Sequence, residues 1–437
     1  MSSKVYYMDD RSASAETSLV AKMINVYEAA GLNDIISPGE VVAIKIHCGE
    51  YNNTAYLRPV YARALVDHVK ELGGRPFVCD TTTQPYNPYS SRVTALDLML
   101  TAERNGYNSG TLGCPFIPAD GYLGTDDTKV DLPEGLILKE AYIAKAIALA
   151  DAVICLTHFK GHGVGVYGGA VKNLGIGCQS KRGKYNVHQA FHSRVSLGAS
   201  AFFPHLCRGK ACPTWEACET SCSYGLIKIT DTGIEWTPEG CVNCLAHLKV
   251  VTCGAIQDPP DNHDMAAAAM GDAALGVVKA VGAKKMGYIN MAIDIAPFCD
   301  CVMFSDRPLV PNIGVFASTD PVAIDQVCID MVKASAGMSG SRAQDFGVAA
   351  AGVNKFSAAS SVVGASEALQ VAVGARNGLG SQEYELIQVP VGDPVKPRFH
   401  WDKRPVGIRL AEPFRREKVY PENGYTRNEN FDLELVR

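Results

Sequence analysis

The chain has 437 residues, 47% of them hydrophobic and 20% charged, and a formal net charge of -5. That length holds two or three domains and a large core, and the weak charge, with no long run of one sign, excludes an electrostatic footprint for nucleic acid or an acidic membrane. Residues 1–10 hold no apolar stretch of signal-peptide length, and the most apolar window, Tyr142 to Leu156, carries Lys145 and Asp151, so the expectation is a soluble cytoplasmic protein with reduced thiols.

Helix and strand patterns alternate from the start. Leu19, Met23, Val26 and Ala30 recur at helical spacing, and Gly31 ends the run. Val41 to Ile46 is apolar but for Lys45 and reads as a buried strand. Leu65, Val69 and Leu72 predict a helix closed by Gly73-Gly74, and Phe77 to Cys79 a short strand. Next come a predicted helix over Lys139 to Ala150 and a strand over Ala152 to Leu156. Beyond a cysteine-rich stretch the pattern predicts a helix over Met265 to Val281, strands over Gly287 to Ile293 and Ile313 to Ala317, and a helix from Pro321. Such alternation predicts an α/β fold with a mainly parallel sheet covered by helices. The domain reading is an α/β domain in two parts, 1–205 and 261–391, interrupted by a small inserted α+β segment, 206–260. Residues 392–437, rich in Pro, Arg and Glu, read as an extended surface tail.

Seven of the fifteen cysteines fall between Cys207 and Cys253. They run Cys207-x4-Cys212-x5-Cys218-x3-Cys222 and Cys241-x2-Cys244-x8-Cys253. Short spacings let several thiolates reach one cluster without costly loops. The plan is similar to ferredoxin-type two-cluster segments, in which the fourth cysteine of each run serves the other cluster. Cys207, Cys212, Cys218 and Cys253 then surround one 4Fe-4S cluster. Cys222, Cys241 and Cys244 hold a second, with His247 or an open iron at its fourth position. Zinc, or plain buried cysteines, are the alternatives. Cys48, Cys79, Cys114, Cys155, Cys178 and Cys328 read as small buried hydrophobes, whereas Cys299-Asp300-Cys301 is polar and close to a strand end.

Ligands of open parallel sheets bind beyond the carboxyl ends of the strands. Five predicted strands end in polar residues: His47 and Glu50 after Ile46, Asp80 and Thr83 after Cys79, Thr157, His158, Lys160 and His162 after Leu156, Asp294 after Ile293, and Asp320 after Ala317. Gly161, Gly163, Gly165, Gly168 and Gly169 let backbone approach a ligand. Lys172 and Asn173 fall near the first turn of a following helix, where an anion is favoured. The pattern is neither a Walker nor a Rossmann fingerprint. His158 and His162 read as proton-transfer or substrate-binding groups, with metal binding by the pair or a structural role as alternatives. His188 follows Lys181 and Lys184, cations that neutralise an acidic substrate and depress a histidine's pKa.

As an ordered set, Lys45-Ile-His47-Cys-Gly49-Glu50, Phe77-Val-Cys-Asp80-Thr-Thr-Thr83, His158-Phe-Lys160-Gly-His162, Gly168-Gly-Ala-Val-Lys172-Asn173-Leu-Gly-Ile-Gly177, Asp294 with Cys299-Asp300-Cys301, and Asp320-Pro-Val-Ala-Ile-Asp325 resemble the domain-of-unknown-function 362 family. The branch resembled carries an inserted ferredoxin-like iron–sulfur segment, and the motifs span roughly residues 40 to 330. The resemblance implies an α/β domain with iron–sulfur clusters and assigns no reaction. The irregular Cys207, Cys212 and Cys218 spacing and the missing eighth cysteine depart from the usual ferredoxin pattern.

The leading expectation is an oxygen-sensitive oxidoreductase. Electrons pass from a partner, such as a ferredoxin or reductase, through the clusters to a small anionic substrate at the strand ends. His47, Glu50, Asp80, Gly168, Gly169, Lys172 and Asn173 bind it, and His158, His162, His188 and Asp294 are the catalytic candidates. The alternatives are an electron carrier or adaptor without a substrate, and a lyase or isomerase whose cluster is structural or a Lewis acid. A flavin, which turns single electrons into a hydride, shows no fingerprint. The eight cysteines outside the dense segment leave room for a further metal, and nothing in the sequence opposes a homo-oligomer.

Overall fold

The computed structural model describes residues 2–84, 90–188, 190, 201–240, 253, 255–257, 262–360 and 365–391, with 423–427, 432 and 434 near the C-terminus. The chain divides into two compact units, Met1–Pro390 and Val391–Arg437. The expected tail and the cluster candidates Cys241, Cys244 and His247 lie outside the described residues, apart from the few positions near the C-terminus.

The first unit is built on an eight-stranded sheet. Its strands are β1 (Ser3–Asp9), β2 (Val41–Lys45), β3 (Arg75–Asp80), β4 (Phe116–Pro118), β5 (Ala152–His158), β6 (Met286–Ala292), β7 (Gly314–Ser318) and β8 (Tyr384–Gln388), in the order β8-β1-β7-β6-β5-β2-β3-β4. All neighbouring pairs are parallel except those of β7, which runs antiparallel to both β1 and β6. The mainly parallel α/β expectation therefore holds, with one reversed strand inside it.

Helices cover both faces. On one side α1 (Leu19–Ala29), α2 (Pro59–Glu71) and α3 (Ala95–Arg104) pack Met23, Leu65 and Leu98 against Val42, Ile44, Ile154 and Leu156 of the strands. On the other, α4 (Asn262–Val281), α5 (Pro321–Ala334) and α6 (Leu369–Arg376) pack Met270, Val327 and Val371 against Ala43, Val153 and Cys155. Successive side chains of β2 and β5 thus enter opposite cores, the two-sided burial that makes central parallel strands read as unbroken apolar runs. Among the described residues no helix is long and apolar enough to cross a membrane.

Three elements depart from the sequence reading. The helix predicted over Lys139 to Ala150 is a strand, Glu140–Ala144, followed by a short helix, Lys145–Ala148. Ala141 and Ile143 are buried and alternate with the more exposed Glu140 and Tyr142, a period of two that pairs with Asp127–Asp131. Strands β4 and β8, at the two edges, had no sequence signal, and neither did β1, whose Ser3–Asp9 mixes polar and apolar residues without a clear run. Finally, because β7 is antiparallel, its carboxyl end lies at the opposite edge of the sheet from those of β2, β3, β5 and β6. Asp320 is therefore removed from any shared site. It caps α5 instead, accepting from the amides of Val322 at 2.8 Å and Ala323 at 3.0 Å.

The described part of the cysteine-rich segment begins and ends on one antiparallel pair, Ala201–Phe202 with Ile256–Gln257. Between these lie a short helix, Trp215–Thr220, and a hairpin of Ile227–Ile229 with Ile234–Trp236. Its own core is small: Cys218, Ile227, Ile229, Ile234, Ala255 and Ile256.

Candidate functional site

From β2 the chain proceeds outward through β3 to β4, and from β5 it proceeds the other way to β6. The adjacent strands β2 and β5 therefore part at their carboxyl ends, the crevice where open sheets bind ligands. A cavity of about 420 Å³ opens there. It is lined from β2 by Lys45 and His47, from β3 by Asp80, Thr81 and Gln84, and from β5 by Thr157, His158, Lys160 and His162. The chain after β6 adds Cys299 and Cys301. Lys172, Asn173, Lys184 and His188 complete one wall and Arg92 another.

Its charge is one-sided. Lys45, Arg92, Lys160, Lys172 and Lys184 line the cavity against one lining carboxylate, Asp80, among the described residues. Lys45 ends an alternation of apolar residues and is buried; its Nζ lies 3.0 Å from Asp80 Oδ1 and 3.0 Å from Asn173 Oδ1. Burial raises the Asp80 carboxyl, but Lys45, His47 and Arg92 outweigh it and hold the group well below the ordinary range. Asn173 also donates to Thr157 Oγ1 at 3.0 Å. Lys184 donates to Thr81 Oγ1 at 2.8 Å and to the Gln179 carbonyl at 2.6 Å. Burial lowers its pKa to about 8, only partly opposed by Asp120 and Asp80. Neither Lys172 nor Lys184 forms an ion pair with a carboxylate among the described residues. Gln84 is buried, and both its amide atoms lack a partner among the described residues. An unpaired buried amide in a polar cavity is a costly arrangement unless a ligand completes it.

The thiols form the second feature. The Sγ atoms of Cys299 and Cys301 and a ring nitrogen of His47 all lie within 4.8 Å of one another, a set able to hold a metal ion. Burial would raise the Cys299 thiol, but a hydrogen bond from Cys301 and the charges of Lys172, His162 and Lys160 carry it well below the usual value. Lys172 Nζ lies 3.8 Å from Cys299 Sγ. His162 accepts from the amides of Gly165 at 2.8 Å and Val164 at 3.2 Å through Nδ1. Burial and Lys172 lower its pKa to about 4, so it is neutral at physiological pH. The hairpin that bends around it places Val166 at φ 68°, a left-handed value costly for a β-branched residue.

Several candidates occupy other places than expected. Glu50 does not face the cavity: its carboxylate accepts from Ser90 Oγ at 3.0 Å, Ser91 N at 2.7 Å, Ser91 Oγ and Arg92 Nε at 3.2 Å, so it anchors Arg92. His158 has both ring nitrogens engaged, Nδ1 with Asp300 at 2.9 Å and Nε2 with the Ile293 carbonyl at 2.8 Å. Both nitrogens are thus held by groups of the chain itself, and the ring acts as a strut between β5 and the chain after β6. Asp294 turns its carboxylate to Arg58 at 3.1 Å on the surface; the carboxylate that orients His158 is Asp300. His188 lines the cavity, with Nδ1 2.7 Å from the Lys184 carbonyl, and burial lowers its pKa to about 4.

The glycines serve packing. A Cβ on Gly161 would lie 2.1 Å from the Pro297 carbonyl, and one on Gly169 2.3 Å from Asp325 Oδ1. The Asp325 carboxyl, which burial raises to about 7, itself takes the amides of Ala170 at 2.7 Å and Val171 at 2.9 Å, so the helix start expected to hold a substrate anion beside Gly168 and Gly169 is already occupied by a group of the chain's own. Sequence reasoning missed Arg92 and Gln84, which no local pattern marks. Lys45, a charge inside an apolar strand, and Asp300, between two cysteines, were visible signals.

In the cysteine-rich segment, Cys207, Cys212, Cys218, Cys222 and Cys253 are free thiols. Burial raises the Cys218 thiol, and the charges of Cys212, Cys253 and Cys207 raise it further.

The fold and site define an α/β protein with a cationic, thiol-bearing cavity at the switch point of its sheet. The chain belongs to the family described as Domain of unknown function (DUF362), whose model matches residues 42–330. No curated protein matches the sequence. Among solved structures, the chain is similar to the lactate racemase apoprotein from Thermoanaerobacterium thermosaccharolyticum, at 10% identity and a TM-score of 0.37, covering 76% of this chain and 58% of that one. A protein from Thermotoga maritima is similar at 9% identity and a TM-score of 0.33, covering 65% and 52%. The chain thus spans little more than half the length of either.

Proposed function

We propose that the chain is an iron–sulfur oxidoreductase acting on a small anionic substrate. The observation that carries this reading is the cavity: Lys172 and Lys184 without carboxylate partners, beside a buried Gln84 amide with both atoms unpaired among the described residues. A small carboxylate or phosphate supplies the charge and the hydrogen-bonding oxygens that such a site lacks.

Cys207, Cys212, Cys218 and Cys253 fit a cluster, since all four are free thiols, and Cys212, Cys253 and Cys207 add to the cost of charging Cys218. A second set comprises Cys222 with Cys241, Cys244 and His247. Clusters there supply single electrons, drawn from a partner such as a ferredoxin or reductase in a reducing cytoplasm. Reducing an organic substrate by two electrons consumes two protons. Lys184, with a pKa of about 8, is protonated at neutral pH and acidic enough to give one up, the second proton comes from solvent water, and neutral His162 offers only a hydrogen bond. Lys172 and Asn173 hold the substrate, and Asp80 keeps Lys45 and Asn173 in position.

The test is anaerobic purification, dithionite reduction, and reoxidation by small carboxylates and phosphates, followed through the cluster's visible absorbance. One anion is expected to reoxidise the wild type and to fail with Lys172→Ala at unchanged iron content. Zinc in place of iron, or reoxidation unaffected by Lys172→Ala, would overturn the reading.

A further inference from the structure

We propose that His47, Cys299 and Cys301 form a mononuclear binding site for a zinc-like divalent metal, separate from the iron–sulfur segment, with an open fourth position facing the cationic cavity. The three donor atoms lie within 4.8 Å of one another, His47 coming from just past the end of β2 and the two cysteines from the chain after β6. Two thiolates and one imidazole suit zinc or a neighbouring late metal, and three protein ligands with one vacancy are the arrangement of catalytic rather than structural sites.

The surroundings fit a loaded site. Nδ1 of His47 is engaged from behind, by the Gly49 amide at 3.0 Å and Asp80 Oδ2 at 3.6 Å, which leaves Nε2 for the thiols. Metal on Nε2 would place the ring proton on Nδ1, so loading the site exchanges the hydrogen bond accepted from Gly49 for one donated to Asp80, 3.6 Å away. Asp300, between the two cysteines, is tied to His158 at 2.9 Å and Lys160 at 3.2 Å, so the turn carrying both thiols is fixed before any metal arrives. Lys172, 3.8 Å from Cys299 Sγ, stands where a carboxylate or phosphate entering the fourth position would meet it. That last role rests on reading the cavity as the substrate site; the metal site itself does not.

The experiment loads the anaerobically purified full chain with zinc, removes the excess, counts zinc and iron, and records zinc-edge X-ray absorption. The wild type is expected to retain about one zinc per chain, with a mixed shell of sulfur, nitrogen and a lighter oxygen ligand. Cys299→Ser should lower zinc affinity by at least about tenfold with iron unchanged, and Cys212→Ser should lose iron with zinc unchanged. His47→Gln serves as a second variant should Cys299→Ser not fold. Equal zinc in the wild type and both site variants, no retained zinc, or an all-sulfur shell would overturn the proposal. Zinc retained without iron would remove the iron–sulfur reading and leave this site standing; iron without zinc would do the reverse.

Discussion

The chain's two groups of thiols are built in opposite ways. Around Cys207, Cys212, Cys218 and Cys253 the described segment offers six buried side chains and two short strand pairs. Around Cys299 and Cys301 the whole sheet domain converges, with Lys160, His158, Asp300 and His47 tying the turn to β5 and β2. On the proposed reading, a metal supplies the cohesion that so few described buried side chains lack. The second group is positioned by the fold whether or not a metal is present. A site built by metal has to announce itself through many cysteines at short spacing, and a site built by the fold needs only two.

The largest expected effect follows from that contrast. On the proposed iron–sulfur reading, stripping iron oxidatively with a chelator should unfold the described residues between 201 and 257 while the sheet survives. Hydrogen exchange is expected to accelerate there on the order of a hundredfold or more and to stay unchanged in β5 and β6. Equal protection in both regions would break the comparison. Next is Asp300→Asn, which leaves Lys160 buried without its counter-charge and weakens the His158 strut. Breaking a buried pair of this kind costs about 3–5 kcal/mol, read as a lower midpoint for the sheet domain in denaturant. No comparable loss is expected from Cys212→Ser, whose side chain lies in the exposed segment.

Acid should act on the fold-built site as well. His162 and His188 have folded pKa values of about 4, below the ordinary 6.5. The unfolded chain therefore binds more protons than the native one between those values. The stability they contribute is complete above about 6.5 and is lost as pH falls toward 4, so thermal midpoints should decline across that window. Replacing both by Gln should flatten the decline. The opposite sign governs binding: Lys184 loses its charge as pH rises through about 8, so anion affinity should fall there, and Lys184→Met should remove that dependence.

What the sequence revealed divides along the same line. The alternation of apolar runs was enough for the doubly covered parallel sheet, since Val42, Ile44, Val153 and Ile154 are buried from both sides. The direction of β7 was not legible, because Gly314–Ser318 reads alike in either sense, and that reversal is what sends Asp320 to the far edge. The glycines near Gly169 looked like a phosphate cradle, yet they make room for Asp325 and Pro297, contacts across 156 and 136 residues that no local pattern encodes. His47 and Asp80 were found because their strands are parallel neighbours, and Lys172 and Asn173 because they follow a glycine-rich stretch at a helix start. Arg92 was missed because its partner, Glu50, is 42 residues away.

The smallest predicted effect separates the strand-end carboxylates. Asp80 and Asp294 stand at matching places, each at or just past the carboxyl end of a parallel strand. Asp80 points inward to Lys45 and His47. Asp294 has φ 47°, which turns its side chain out to Arg58, 60% exposed. A pair that open to solvent contributes about 0–1 kcal/mol, and Asn tolerates the left-handed backbone well. Asp294→Asn should therefore shift stability by no more than about 0.5 kcal/mol and leave anion and metal binding unchanged. Asp80→Asn should weaken both, because Lys45 and Asn173 lose their anchor and His47 its carboxylate. If Asp294→Asn weakened binding as much as Asp80→Asn, the cavity would extend past β6 to the surface, and inward orientation would no longer be what distinguishes a working carboxylate here.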